Sequence, residues 1–131
     1  MAQLAIEVIL MRELAGKLAV PAFLVDPDGT LLFYNEPAEE LLGTRFDETG
    51  IMSAADWTTL FTPTDERGRP LASESLPLVQ VLATRRPAHG QFWIKGMDGG
   101  DRFLEVTAFP LVGQGDTFLA AAALFWQVAR R

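Results

Sequence analysis

The sequence contains no cysteine, which removes disulfides, thiolate metal sites, a cysteine nucleophile and any thiol redox switch. It contains one histidine, His89, standing between Ala88 and Gly90 at the start of an expected strand. A solvent-facing role fits it better than that of a general base or haem ligand. Paired-histidine metal spacing, a phosphate-cradling glycine loop and a nucleophile elbow are all missing, so no metal site and no catalytic residue is expected. Basic residues are outnumbered: 11 Lys and Arg against 17 Asp and Glu leave a net charge of −6. Nucleic-acid binding needs a basic patch that displaces counterions from phosphates, so no nucleic-acid partner is expected. The basic pair Arg85-Arg86 reads as favouring the negative end of a helix, and Arg130-Arg131 carries no targeting signal. No uncharged run is long enough for a membrane span. Glu7, Arg12, Glu13 and Lys17 interrupt the apolar N-terminus, which has neither a basic leader nor a small-residue cleavage site, and a cytoplasmic protein is expected.

What is present fits one globular domain. The length of 131 residues is enough to bury a core without metal or disulfide help, and 49% apolar with 21% charged residues argues against disorder. The stretch from Pro21 to Gly43, PAFLVDPDGTLLFYNEPAEELLG, organises the rest. Ala22 to Val25 and Leu31 to Tyr34 are runs of β-formers. Between them Asp26 can cap a turn, Pro27 presets φ, and Gly29 is free to take φ > 0, so a β-hairpin is predicted. Asn35 then serves as an N-cap, Glu36 and Pro37 suit a first helical turn, Ala38, Leu41 and Leu42 share a face, and Gly43 sits where a left-handed C-cap is wanted.

Asp26, Gly29, Asn35, Ala38 and Gly43 resemble the opening of a PAS domain. Asp65 to Pro77 (DERGRPLASESLP), the Asp98-Gly99 turn, and Phe103 to Gly115 with Pro110-Leu111 resemble its second half, in the same order. The resemblance spans roughly residues 18 to 128. It implies an α+β fold: a PAS-like five-stranded antiparallel sheet with short connecting helices and an N-terminal flanking helix.

Two units are expected along the chain, residues 1–19 as an N-terminal helix and residues 20–131 as the PAS-like domain. On a period of 3.6, Leu4, Val8, Met11, Leu14, Ala15 and Leu18 gather on one stripe. Ile6, Ile9 and Leu10 fall off it, which leaves more apolar surface than docking on one sheet uses. These three are the candidate dimer interface, in line with the flanking helix of PAS proteins, which often pairs with that of a second copy. Ser53 is expected to cap a helix carrying Trp57, Leu60 and Phe61 inward, and Ser73 or Ser75 to start a connecting helix with Leu78, Val81 and Leu82 on its apolar side. Gln91 to Met97, Arg102 to Leu111 and Thr117 to Val128 read as three strands. The last holds a tetra-alanine, for which helix competes, but Phe118, Phe125, Trp126 and Val128 favour strand.

Glu105 is the one carboxylate that would need a partner or a shifted pKa if the N-terminal helix packed over its face of the sheet, and surface exposure is the simpler expectation. Flavin light sensors of the PAS superfamily carry a cysteine in an Asn-Cys-Arg motif, and haem sensors a histidine on the connecting helix. This chain has no cysteine, and Leu76 to Thr84 has no histidine, so neither cofactor is expected.

The predicted site is an apolar cavity between the connecting helix and the concave sheet face. If Glu105, Thr107, Gln91, Lys95 and Gln127 face out, strand alternation turns Phe92, Ile94, Leu104, Val106, Ala108, Ala120, Ala122 and Leu124 inward, opposite Leu60, Phe61, Val79 and Leu82. The expected function is a non-catalytic sensory module that binds a small apolar ligand, a signalling protein, or both, as a homodimer. Two alternatives are kept. One is a small cone-shaped α+β enzyme of ketosteroid-isomerase type with a carboxylate in its cavity; the other is a ligand-free dimerisation scaffold.

Overall fold

The Pro21–Gly43 stretch folds as its turn chemistry dictates. In the computed structural model, which describes residues 6–129, β1 (Ala22–Val25) and β2 (Leu31–Tyr34) pair antiparallel with Phe23 opposite Tyr34. Leu4, the expected first turn of the N-terminal helix and the Arg130-Arg131 pair lie outside the described residues. Asp26 Oδ1 accepts from the backbone N–H of Asp28 and of Thr30, at 2.9 and 3.0 Å, and Gly29 takes φ +87°. A side chain at Gly29 would be strained by that φ and would bring its Cβ to 3.0 Å from Ala54 Cβ.

Helix α2 (Glu36–Leu42) starts at Asn35, whose Oδ1 accepts from Ala38 N–H at 3.1 Å, and ends at Gly43 with φ +77°. Two short helices follow, α3 (Phe46–Thr49) and α4 (Ala54–Leu60), the latter capped by Ser53 Oγ on Asp56 N–H. Helix α5 (Pro77–Thr84) begins later than predicted. Proline suits the first helical position, where its missing N–H costs nothing, and Ser73–Ser75 forms a separate 3-10 turn ahead of it. Arg85, at φ +60°, ends α5.

β3 (Ala88–Lys95), β4 (Asp101–Val112) and β5 (Phe118–Gln127) complete an antiparallel sheet of five strands in the order β2-β1-β5-β4-β3. β5 is the middle strand, buried on both faces, which is why its alanines form a strand against their helix propensity. On the concave face the core gathers Phe23, Tyr34, Trp57, Val81, Leu104 and Phe125 among others. On the outer face Leu24, Ala120 and Ala122 pack with Val8 of α1 (Ile6–Ala15).

The outer layer corrects three expectations. α1 stops at Ala15 rather than near Ala19, and the chain turns at Gly16, whose N–H bonds the Arg12 carbonyl at 3.1 Å. Leu14, placed on the docking stripe by the sequence, is 53% exposed. The docked stripe is set by Val8, Met11 and Ala15, and Leu14 stands about 100° round the helix from Ala15. Ala120 and Ala122, expected to line the concave side, face α1 instead. Residues directly opposite on paired strands share a face, and β5 sets Ala123 opposite Ala108 and Phe125 opposite Val106. Ala121, Ala123 and Phe125 therefore point into the concave core, and Leu124, opposite Thr107, points outward. The prediction was misled by Gln127. It lies opposite Leu104 on the concave side, but near the end of the strand, where it is exposed to water.

Candidate functional site

The concave face of the sheet, α4, α5 and the end of α2 bound a cavity of about 90 Å³. Its floor is Phe23 of β1, Phe92 and Ile94 of β3, Leu104 and Val106 of β4, and Ala123 and Phe125 of β5. Its walls are Leu42, Trp57, Thr58, Phe61, Pro63, Leu76, Pro77 and Leu78. The two lining side chains with polar atoms are already satisfied. Thr58 Oγ1 donates to the Ala54 carbonyl at 2.7 Å, and Trp57 Nε1 donates to the Gly29 carbonyl at 2.6 Å. Such a lining has carbon to offer a guest and little to orient a charge.

Of the predicted lining, Phe61, Phe92, Ile94, Leu104 and Val106 come together here. Ala108 is fully buried in the same core without reaching the cavity, and Leu60, Val79 and Leu82 are half-buried at its periphery. The sequence reading missed Phe125 and Ala123 through the one-residue error on β5. It also missed Phe23, Leu42, Thr58, Pro63, Leu76 and Pro77, and it turned Trp57 and Leu78 inward without placing them at the site. The signal for Phe23 was available: alternation along the first hairpin strand sets it on the side opposite Leu24.

Leu42 is held where α2 meets the β3–β4 hairpin tip. Its carbonyl accepts from Met97 N–H at 2.8 Å, and a Cβ on Gly43 would sit 2.8 Å from Asp98 N, so the close approach requires glycine. The tip is braced by Asp98, which takes both Nη atoms of Arg102, at 3.0 and 2.7 Å, and the Gly100 N–H. The Arg102 guanidinium, and then the Gly100 amide, hold the Asp98 carboxyl well below the usual carboxylate range. On the other side of the cavity's neighbourhood, burial pushes the Tyr34 hydroxyl above its ordinary value; it hydrogen-bonds the Thr44 carbonyl and Thr49 Oγ1.

Among the described residues, no Asp, Glu, His, Lys or Arg lines the cavity. Glu105 lies on the outer face, where its carboxylate meets His89 Nε2 at 2.9 Å, both partly open to solvent. Among the described residues no group of His, Asp and Glu is arranged to hold a metal ion, and no helix is long and apolar enough to cross a membrane.

The outer surface of α1 carries the candidate dimer residues. Ile6 is 68%, Leu10 59% and Ile9 45% exposed, and Leu14 joins them. Ile6, Leu10 and Leu14 are spaced four residues apart and form one solvent-facing apolar stripe opposite the docked one.

No curated protein matches this sequence. Solved structures match its fold. The PAS domain of a Colwellia psychrerythraea protein superposes with a TM-score of 0.67 at 14% identity, covering 95% of this chain and 98% of that one. The LOV protein of Rhodobacter sphaeroides gives 0.74 at 14% identity over 96% of this chain and 70% of its own. The PAS domain of BvgS from Bordetella pertussis gives 0.65 at 14% identity over 95% and 88%. Sheet order, the helices over its concave face and these likenesses agree with the sequence match itself: residues 16–131 fit the family model described as the PAS fold, and the chain belongs to the PAS family of sensory signalling domains.

Proposed function

We propose that this PAS domain is a non-catalytic sensor whose signal is a small, uncharged, largely apolar molecule held in the concave cavity. The observation that carries the reading is the lining: carbon-rich walls around about 90 Å³, with the side-chain polar atoms at its edge already paired. An engineered apolar cavity of about 150 Å³ stays dry and takes up benzene or xenon, so a site of this kind favours guests of a few heavy atoms. Drug-sized ligands and cofactors occupy roughly 300–1,000 Å³, against which this space is small.

The same reading makes the domain a homodimer through α1, with Ile6, Ile9 and Leu10 in the contact, working in the cytoplasm with a signalling protein downstream. The exposed apolar stripe on α1 supports the dimer.

Benzene is a suitable probe. Titrated against protein labelled at Leu and Val methyls, it should shift Leu42, Leu104 and Val106 and leave Val112, exposed at the end of β4, unmoved. In Ala123→Leu those shifts should vanish. Unmoved cavity methyls, together with no co-purified small molecule by native mass spectrometry, would overturn the ligand reading.

A further inference from the structure

We propose that Asn35 mechanically joins the cavity wall to the N-terminal helix, so that displacement of α2 is felt at α1 through one buried amide. Asn35 is 2% exposed, and both ends of its side chain are fully used. Oδ1 accepts from Ala22 N–H at 2.9 Å and from Ala38 N–H at 3.1 Å. Nδ2 donates to the Ala15 and Val20 carbonyls, each at 2.9 Å. One planar group thus fixes the first turn of α2, the start of β1, the last residue of α1 and the linker that follows it.

The chemistry is specific to asparagine. Aspartate would accept from Ala22 and Ala38 as well, but it would present a second oxygen, with no proton, to two carbonyls. Serine would keep the cap and lose the reach.

Both attachments of this joint bear on it. α2 is pinned at its far end by the Leu42 carbonyl, and the Leu42 side chain is cavity wall. α1 is held thinly: Val8 and Ala15 are buried, Met11 is half-buried, and Arg12 lies 5.4 Å from the centre of the Phe33 ring. Among the described residues, the bond from Asn35 to Ala15 is the side-chain hydrogen bond that reaches α1 from the rest of the domain. A shift of α2 must therefore either carry α1 with it or break these donations. This holds whatever occupies the cavity, and no ligand enters its test.

The test is a two-residue cycle read by amide hydrogen exchange. The reporters are Lys17 and Leu18, whose N–H groups bond the Leu14 and Ala15 carbonyls; amides of β4 and β5 report global opening. Asn35→Asp should speed exchange at Lys17 and Leu18 by roughly tenfold or more beyond any change in the strands. Leu42→Ala, at the opposite end of α2, should speed the same two amides several-fold beyond the strands. In the Asn35→Asp background Leu42→Ala should add nothing to them. If Asn35→Asp does not fold, Asn35→Ser takes its place in the cycle. Should Leu42→Ala in the otherwise unaltered protein leave Lys17 and Leu18 moving only with the strands, or should the two substitutions add independently, the proposal is overturned. A residue that merely supported the fold would give that additive result.

Discussion

The indole Nε1 of Trp57 donates to the carbonyl of Gly29 at 2.6 Å, tying α4 to the turn of the first hairpin across 28 residues of sequence. The same indole meets the Phe23 ring edge-on at 5.3 Å between centroids. Trp57→Phe should keep much of the ring contact and leave a buried carbonyl without its donor, at a cost of about 1–3 kcal/mol. Chemical denaturation checks this. Equal stability of the two proteins would mean that water replaces the indole at no cost.

The two faces of β5 should respond oppositely to added volume. Ala123 borders the cavity, and Ala123→Leu should be neutral or stabilising because the new carbon enters existing space. Ala122 is buried in the outer cluster with Val8 and Leu24, and Ala122→Leu should cost about 1–3 kcal/mol. Midpoints of urea unfolding decide. Equal losses for both would mean that the concave side is as full as the outer one.

Acid should weaken the clasp between Asp98 and Arg102. A carboxyl whose folded pKa is depressed stabilises the fold fully above its unfolded value of about 3.9, and that contribution is lost as pH falls toward the folded value. Asp98→Asn should therefore be less stable than the parent near neutral pH and converge with it as pH falls below about 4. Thermal midpoints measured across that range give the answer. A gap that stays constant with pH would show that the carboxylate's charge is immaterial.

Ile6→Asp combined with Leu10→Asp should yield a folded monomer, because both side chains are solvent-facing in the single chain and contribute little to its core. Light scattering with circular dichroism reads both properties. A folded dimer that survives the pair of aspartates would put the contact elsewhere.

Local chemistry was legible in the sequence, and relations between distant elements were less so. The first hairpin, the Asn35 cap and Gly43 stop of α2, and the Ser53 cap of α4 depend on neighbours within a few residues, and all three appear as read. The cap role of Asn35 was visible; its bond to Ala15, 20 residues earlier, was not, since nothing local to α1 announces an amide donor from elsewhere. Alternation on β5 failed for a related reason. Four consecutive alanines carry no face preference, so the parity rested on Gln127, and a polar residue near the end of a strand is exposed whichever way it points. The cavity lining was partly legible: Phe61 and Leu104 followed from periodicity and Phe23 could have been read from alternation, whereas Leu42 owes its place to the way α2 meets the β3–β4 hairpin.

The position of β5 has a consequence for how the chain acquires its fold. In the order β2-β1-β5-β4-β3 the N-terminal hairpin and the β3–β4 hairpin are not neighbours; the strand made last lies between them and hydrogen-bonds to both. A nascent chain on the ribosome can form either hairpin early, but neither can close the sheet before residues 118–127 have emerged. Until then Phe23 and Val106 have no Ala123 or Phe125 to complete their layer, and the apolar edges of β1 and β4 are open to other chains. Pairing across roughly a hundred residues is slow to nucleate, and the hazard to this protein lasts until β5 arrives.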